Sequence, residues 1–179
     1  MPSFLATARS NKLPSNGTGN VTSETQILGS DGKLLICPLE GSLVLQTPGN
    51  ARRFKLSIAG YMTSGTSSTV TLKLYFGTST TIATNGTAMF SITTASLAST
   101  NQNFFVDVWL VYDSVSQSFG GNYFGSAVNT LIDLTAITQT SVTAVSDVAE
   151  GQGFNLTAIF NSSNSSNNLF ITAFEIIPE

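Results

Sequence analysis

From Thr69 to Phe76 the chain places Val70, Leu72, Leu74 and Phe76 at every second position, with Thr69, Thr71, Lys73 and Tyr75 between them. Side chains on an extended strand point to opposite faces in turn, so this spacing collects the apolar residues on one side. It predicts a half-buried antiparallel strand. The same period recurs at 53–62, where Phe54, Leu56, Ile58, Gly60 and Met62 share a face. Further strands are expected at 24–28, 33–37, 42–46, 87–93, 103–112, 119–124, 128–137, 140–146, 153–160 and 168–177. No stretch of helical length shows a three-to-four residue period, which makes the chain all-β.

Short strands with Gly and Asn turns between them suit an antiparallel β-sandwich, jelly-roll-like in its winding, with an immunoglobulin-like sandwich as the second choice. Turns are expected at Ser30-Asp31-Gly32, Glu40-Gly41 and Pro48-Gly49-Asn50. Thr63 to Ser68 reads as a polar hairpin loop, and Asn161 to Asn167 as the long exposed tip of a second hairpin joining 153–160 to 168–177. Residues 103–112, NFFVDVWLVY, are apolar or aromatic nearly throughout. They suit a central strand covered on both faces or facing a partner. Residues 24–179 form the expected sandwich domain. Residues 1–23 carry too few apolar groups to fold alone and read as an extended N-terminal arm.

Composition narrows the chemistry. With 7 Lys and Arg, 10 Asp and Glu, no His and a single Cys in 179 residues, the chain is almost without catalytic or metal-ligating side chains. Zinc and copper sites draw on His and Cys. No calcium loop of alternating Asp and Asn is present, so no cofactor or metal is expected. Serines are abundant but have no His base and no Gly-x-Ser-x-Gly turn. A glycosidase needs two facing carboxylates, and Asp107, Asp113 and Asp133 offer only what any chain with ten acids offers. Asp107, inside an apolar strand, reads as an outward residue of an alternating pattern; burial would instead raise its pKa. No enzyme is expected.

A net charge of −3 argues against nucleic acid, whose binding depends on clustered Lys and Arg. Arg52, Arg53 and Lys55 read as a solvated strand start or ion-pair partners. No apolar run is long enough to span a bilayer, so no membrane partner is expected. Cys37, among Leu35, Ile36, Pro38 and Leu39, reads as a small buried hydrophobe. Gly120-Gly121-Asn122-Tyr123-Phe124-Gly125 is a candidate interaction loop, with Asn122, Tyr123 and Phe124 offered to a sugar or a partner protein. The alternative is a turn whose aromatics enter the core. Trp109 and Tyr112 belong to the same region, and the face Trp109 takes is left open.

The segment ATARSNKLP from Ala6 to Pro14, with FNLTAIFNSSN from Phe154 to Asn164 and NLFITAFE from Asn168 to Glu175, resembles small structural proteins of tailed bacteriophages. These are the capsid auxiliary, cement or decoration proteins and related β-rich virion proteins. The resemblance is one of texture over most of the chain. It implies an all-β module, often a homotrimer, made in the host cytoplasm. Such a module sits on the virion's capsid surface, where it binds the lattice of major capsid protein and stabilises the head. The family has no catalytic residues to carry over. Under that implication the arm is the clamp, with Phe4, Leu5 and Leu13 as apolar anchors and Arg9 and Lys12 facing capsid carboxylates. The alternative is a receptor- or glycan-binding module of a phage fibre or baseplate, to which the 120–125 segment and the Asn-Ser stretch would contribute.

Overall fold

The structure is a computed structural model that describes residues 22–27, 36–38, 52–65, 67–78, 88–113, 116, 118–128, 130–141 and 152–178. The arm residues Phe4, Leu5, Arg9, Lys12 and Leu13, the strand expected at 42–46 and the three turns named before Arg52 lie outside the described residues. The strands are β1 (Thr25–Gln26), β2 (Ile36–Pro38), β3 (Arg52–Thr63), β4 (Val70–Thr78), β5 (Phe90–Thr93), β6 (Gln102–Asp113), β7 (Ser118–Ala127), β8 (Thr130–Ser141), β9 (Gln152–Phe160) and β10 (Asn168–Pro178). Cys37 falls in β2, but its side chain is not among those described.

Two antiparallel sheets form a sandwich. The first has the order β1-β9-β4-β5, with β2 also paired to β9. The second has the order β10-β3-β6-β7-β8. Strand β3 pairs with β10, and β4 pairs with β9. The ribbon β3-β4 therefore lies antiparallel to the ribbon β9-β10 while both cross between sheets, a nested pairing that winds the sandwich as a jelly roll does.

The alternation read from sequence sets the inner faces of β3 and β4, and β6 alternates in the same way despite its apolar outer residues. Phe54, Leu56, Ile58 and Met62 of β3, Val70, Leu72, Leu74 and Phe76 of β4, and Phe104, Val106, Val108, Leu110 and Tyr112 of β6 are buried in one core. At its centre, aromatic rings join the two sheets. Phe119 lies 5.1 Å from Phe76, 5.6 Å from Phe154 and 5.0 Å from Tyr112, between ring centroids.

Both expected hairpins are corrected by the topology. β3 and β4 belong to opposite sheets, as do β9 and β10, so 63–68 and 161–167 each carry the chain from one sheet to the other. The two crossings clasp each other. Thr69 N–H donates to Asn161 Oδ1 at 2.9 Å, Asn161 N–H donates to the Thr69 carbonyl at 3.1 Å, and Ser64 Oγ donates to Asn167 Oδ1 at 2.7 Å. Asn167, expected at an exposed tip, is fully buried, and its amide donates to the Ser162 carbonyl at 2.7 Å. A buried amide must be hydrogen-bonded, and the polar residues of each crossing supply what the other needs.

Glu24 pins the start of β1. Its carboxylate accepts from Lys73 Nζ and from Thr157 Oγ1, each at 2.8 Å. Partial burial raises the carboxyl pKa, but the hydrogen bonds from Lys73, Tyr75 and Thr157 outweigh it and hold the group below its usual 4.5. The same burial and the Glu24 charge push the Tyr75 hydroxyl well above its ordinary value. A depressed carboxyl pKa adds stability above the unfolded value near 4.5, and that contribution is lost as pH falls through the lower folded value. Thermal unfolding followed from pH 7 down to pH 3 is expected to show a steeper loss below about 4.5 in the native protein than in Glu24→Gln. Parallel profiles would remove this role.

Candidate functional site: the outer face of the second sheet

The inner residues of β6 are covered by the first sheet, and its outer residues are open. Phe105 is 44% exposed and Trp109 36%, while Val111 is exposed beside them. The strand is thus central within its sheet, yet among the described residues only one of its faces is covered. On β8, Leu131 and Leu134 are 73% and 67% exposed. Single exposed apolar residues are ordinary, but several gathered on neighbouring strands make this face a candidate site.

Asp107 lies on this outer face, as its alternation predicted. It bridges Lys55 Nζ at 3.0 Å and accepts from Ser57 Oγ at 2.7 Å, both on the neighbouring strand β3. Lys55 therefore takes the ion-pair role, and Arg53 the solvated one. Lys55 Nζ also sits 5.6 Å from the centre of the Trp109 ring. On its other side Trp109 stacks on Phe124, with centroids 4.9 Å apart and planes at 19°. Phe105 meets Phe124 edge-on at 6.4 Å. Trp109, Phe124 and Phe105 form a ridge of upright rings. Trp109 thus contacts both the Lys55 ammonium and the Phe124 ring.

The segment Gly120 to Gly125 is the middle of β7, so neither the expected loop nor the expected turn forms. Gly121 has φ of +151°, and a Cβ there would strike the Trp109 carbonyl oxygen. A Cβ at Gly125 would likewise strike the Phe105 carbonyl oxygen, so these two glycines serve close approach of β7 to β6. Alternation then separates the three candidate residues. Asn122 is exposed on the outer face opposite Trp109. Phe124 joins the ridge, and Tyr123 turns inward, where its ring lies 5.4 Å from Phe90. Tyr123 and Phe124 therefore cannot form one stacking platform.

Beyond Phe105 the ridge gives way to a groove of about 410 Å³, lined by Ala59, Tyr61, Asn103, Phe105, Ser126 and Thr172, with Gly60 and Phe104 at its base. Its shape has local causes. The β3/β10 register slips between Ile171 and Ala173, leaving Thr172 as an extra residue in β10. A bulge of this kind bends the strand and re-aims side chains. Gly60, opposite Ile171, lets β3 and β10 approach closely, since a Cβ there would strike the Phe170 carbonyl oxygen, and the small Ala59 keeps the outer surface low. Tyr61, stacked on Phe170 at 4.6 Å, and the exposed Phe105 supply the aromatic surface.

Tyr61, Asn103, Phe105, Ser126 and Thr172 were not among the residues singled out from sequence. One signal for the bulge is present in the sequence. Leu169 and Ile171 alternate inward, but the next inward residues are Phe174 and Ile176, a change of phase across Thr172 and Ala173.

Among the described residues no three His, Cys, Asp or Glu converge to hold a metal ion, and no helix is long and apolar enough to cross a membrane. Fold and surface together define an all-β, jelly-roll-like sandwich with aromatic side chains gathered on one outer face. No protein family and no curated protein sequence matches the chain. Among solved structures, it is similar to a legume lectin-like domain from Entamoeba histolytica at 7% identity and TM-score 0.32, over 75% of this chain and 81% of that one. It is also similar to lectin I-B4 from Griffonia simplicifolia in its metal-free form, at 9% identity and TM-score 0.35 over 99% and 97% of the two chains. A third is lectin UEA-II complexed with galactose, at 10% identity and TM-score 0.33 over 99% and 87%. Likenesses this low do not carry the function of those proteins over to this chain.

Proposed function

We propose that this protein is a non-catalytic binding module whose groove between Tyr61 and Phe105 receives a carbohydrate. The observation that carries the reading is the pairing of aromatic walls with uncharged hydrogen-bonding groups. A sugar presents a face of C–H bonds and a rim of hydroxyls. The rings of Tyr61 and Phe105 suit the first, and the Asn103 amide with the Ser126 and Thr172 hydroxyls suits the second. The volume lies within the usual range for small-molecule sites. No carboxylate lines the groove among the described residues, so a bound sugar meets no acid or base for hydrolysis.

Screening the full chain on a glycan array, with Phe105→Ala alongside, tests this. Binding by the native protein and about a tenfold loss in the variant are expected, since a good ring contact is worth about 0.5–1.5 kcal/mol beyond the apolar area it buries. No binding to any glycan would end the reading.

A second reading, a virion structural protein docked on a capsid lattice as a homotrimer, draws support from the apolar ridge and from the exposed Leu131 and Leu134. Under it Trp109 and Leu134, not the groove, carry the contact with major capsid protein. Cosedimentation with undecorated capsids, lost in Trp109→Ala and retained in Phe105→Ala, would favour it.

A further inference from the structure

We infer that the groove's ligand is an internal stretch of a neutral oligosaccharide, not an acidic glycan or a single terminal sugar. The inference rests on the carbohydrate reading and concerns which sugars the groove takes.

Charge is the first ground. None of the described residues lining the groove is charged. The nearest cation on β3, Lys55, is four residues from Ala59, or about 13 Å along the strand. It is also committed, bonded to Asp107 at 3.0 Å and poised over Trp109 at 5.6 Å. An acidic sugar in the groove would lose water around its carboxylate and gain no counter-charge. A neutral sugar loses only hydroxyl hydration, which Asn103, Ser126 and Thr172 replace.

Shape is the second ground. The lining residues belong to four adjacent strands in the order β10, β3, β6, β7. At about 4.8 Å per strand spacing, the groove runs for roughly 14 Å across the sheet. That is longer than one sugar ring. Its hydrogen-bonding groups are spread along this length, with Thr172 at the β10 end, Asn103 midway and Ser126 at the β7 end. A single ring cannot reach both ends at once. A chain crossing the strands can, with the aromatic walls at Tyr61 and Phe105 holding successive units.

Calorimetric titration of the full chain with a neutral series from mono- to tetrasaccharide, and with uronic-acid-containing oligosaccharides of equal length, tests the inference at low and high salt. Affinity is expected to rise about tenfold or more from mono- to trisaccharide and to stay level with salt. Acidic oligosaccharides are expected to bind at least about tenfold more weakly than neutral ones. Ser126→Ala and Thr172→Ala, exposed enough to leave the fold intact, should each weaken the trisaccharide several-fold while leaving the monosaccharide affinity less affected. Tighter, salt-sensitive binding of acidic sugars, or a monosaccharide binding as well as a trisaccharide, would overturn the inference and leave the carbohydrate reading standing. Failure to bind any of these sugars, neutral or acidic, would overturn both.

Discussion

Replacing Phe119 with Ala is expected to lower the unfolding free energy by about 3–5 kcal/mol, the cost of removing a large aromatic side chain from a packed core. Phe119 is fully buried and comes from β7 of the second sheet, while Phe76 and Phe154 belong to the first. Its ring touches both and also Tyr112, so the cavity left behind opens at the seam between the sheets. With about 5–15 kcal/mol holding a domain of ordinary stability, one such change removes a large share. Urea titration should show an earlier midpoint with little change of slope. Leu131→Ala, on the exposed edge strand, is the control and should stay within about 0.5 kcal/mol of native. Equal effects for the two would contradict the placement of the core.

Gly60→Ala is expected to destabilise by about 3 kcal/mol or more, at the upper end of overpacking costs, because the obstacle is backbone. A Cβ at Gly60 would overlap the Phe170 carbonyl oxygen and lie 2.8 Å from Phe104 Cε1. An aromatic ring can turn aside, but a carbonyl in a strand ladder cannot move without taking β10 with it. The substitution should therefore weaken the β3/β10 pairing and distort the groove, lowering both the unfolding midpoint and ligand affinity. A variant of native stability would show that β10 yields freely there.

These two sites also show what the sequence made legible. The inward faces of β3 and β4 follow from alternation alone, since a strand with one covered face must place its apolar residues two apart; β6 is apolar on both faces, so its inward face was not legible in the same way. Phe54, Leu72 and Phe76 needed nothing more. Pairing partners were not legible, because a polar run such as Thr63 to Ser68 has the composition of a hairpin loop and of a sheet crossing alike. Only the distant contact with Asn161 and Asn167 distinguishes them. Two strands expected at 128–137 and 140–146 are, within the described residues, the single bulged strand β8 from Thr130 to Ser141. Gly120 and Gly121 carry the ordinary mark of a turn, and the close approach of Gly121 to Trp109 of β6 depends on a neighbour local sequence does not name. The groove was hidden for a similar reason. It is a bulge at Thr172 and a short side chain at Ala59 between aromatics from two strands, and neither strand records it alone.

Pairing β3 with β10 has a consequence for how the chain acquires its structure. The register joins Phe54 to Pro178 and Thr63 to Asn168, so the second sheet gains its β10 edge only through contacts more than a hundred residues apart in sequence. Closing such loops costs chain entropy before any contact compensates it. Folding on the slow side for a domain of this size, milliseconds to seconds, is the result, as in other β-sandwiches of high contact order. On the ribosome, β3 and β6 can pair early, but the β3 edge that β10 covers stays open to other strands until β10 emerges. The interval between those two events is when this chain is most exposed to misassembly.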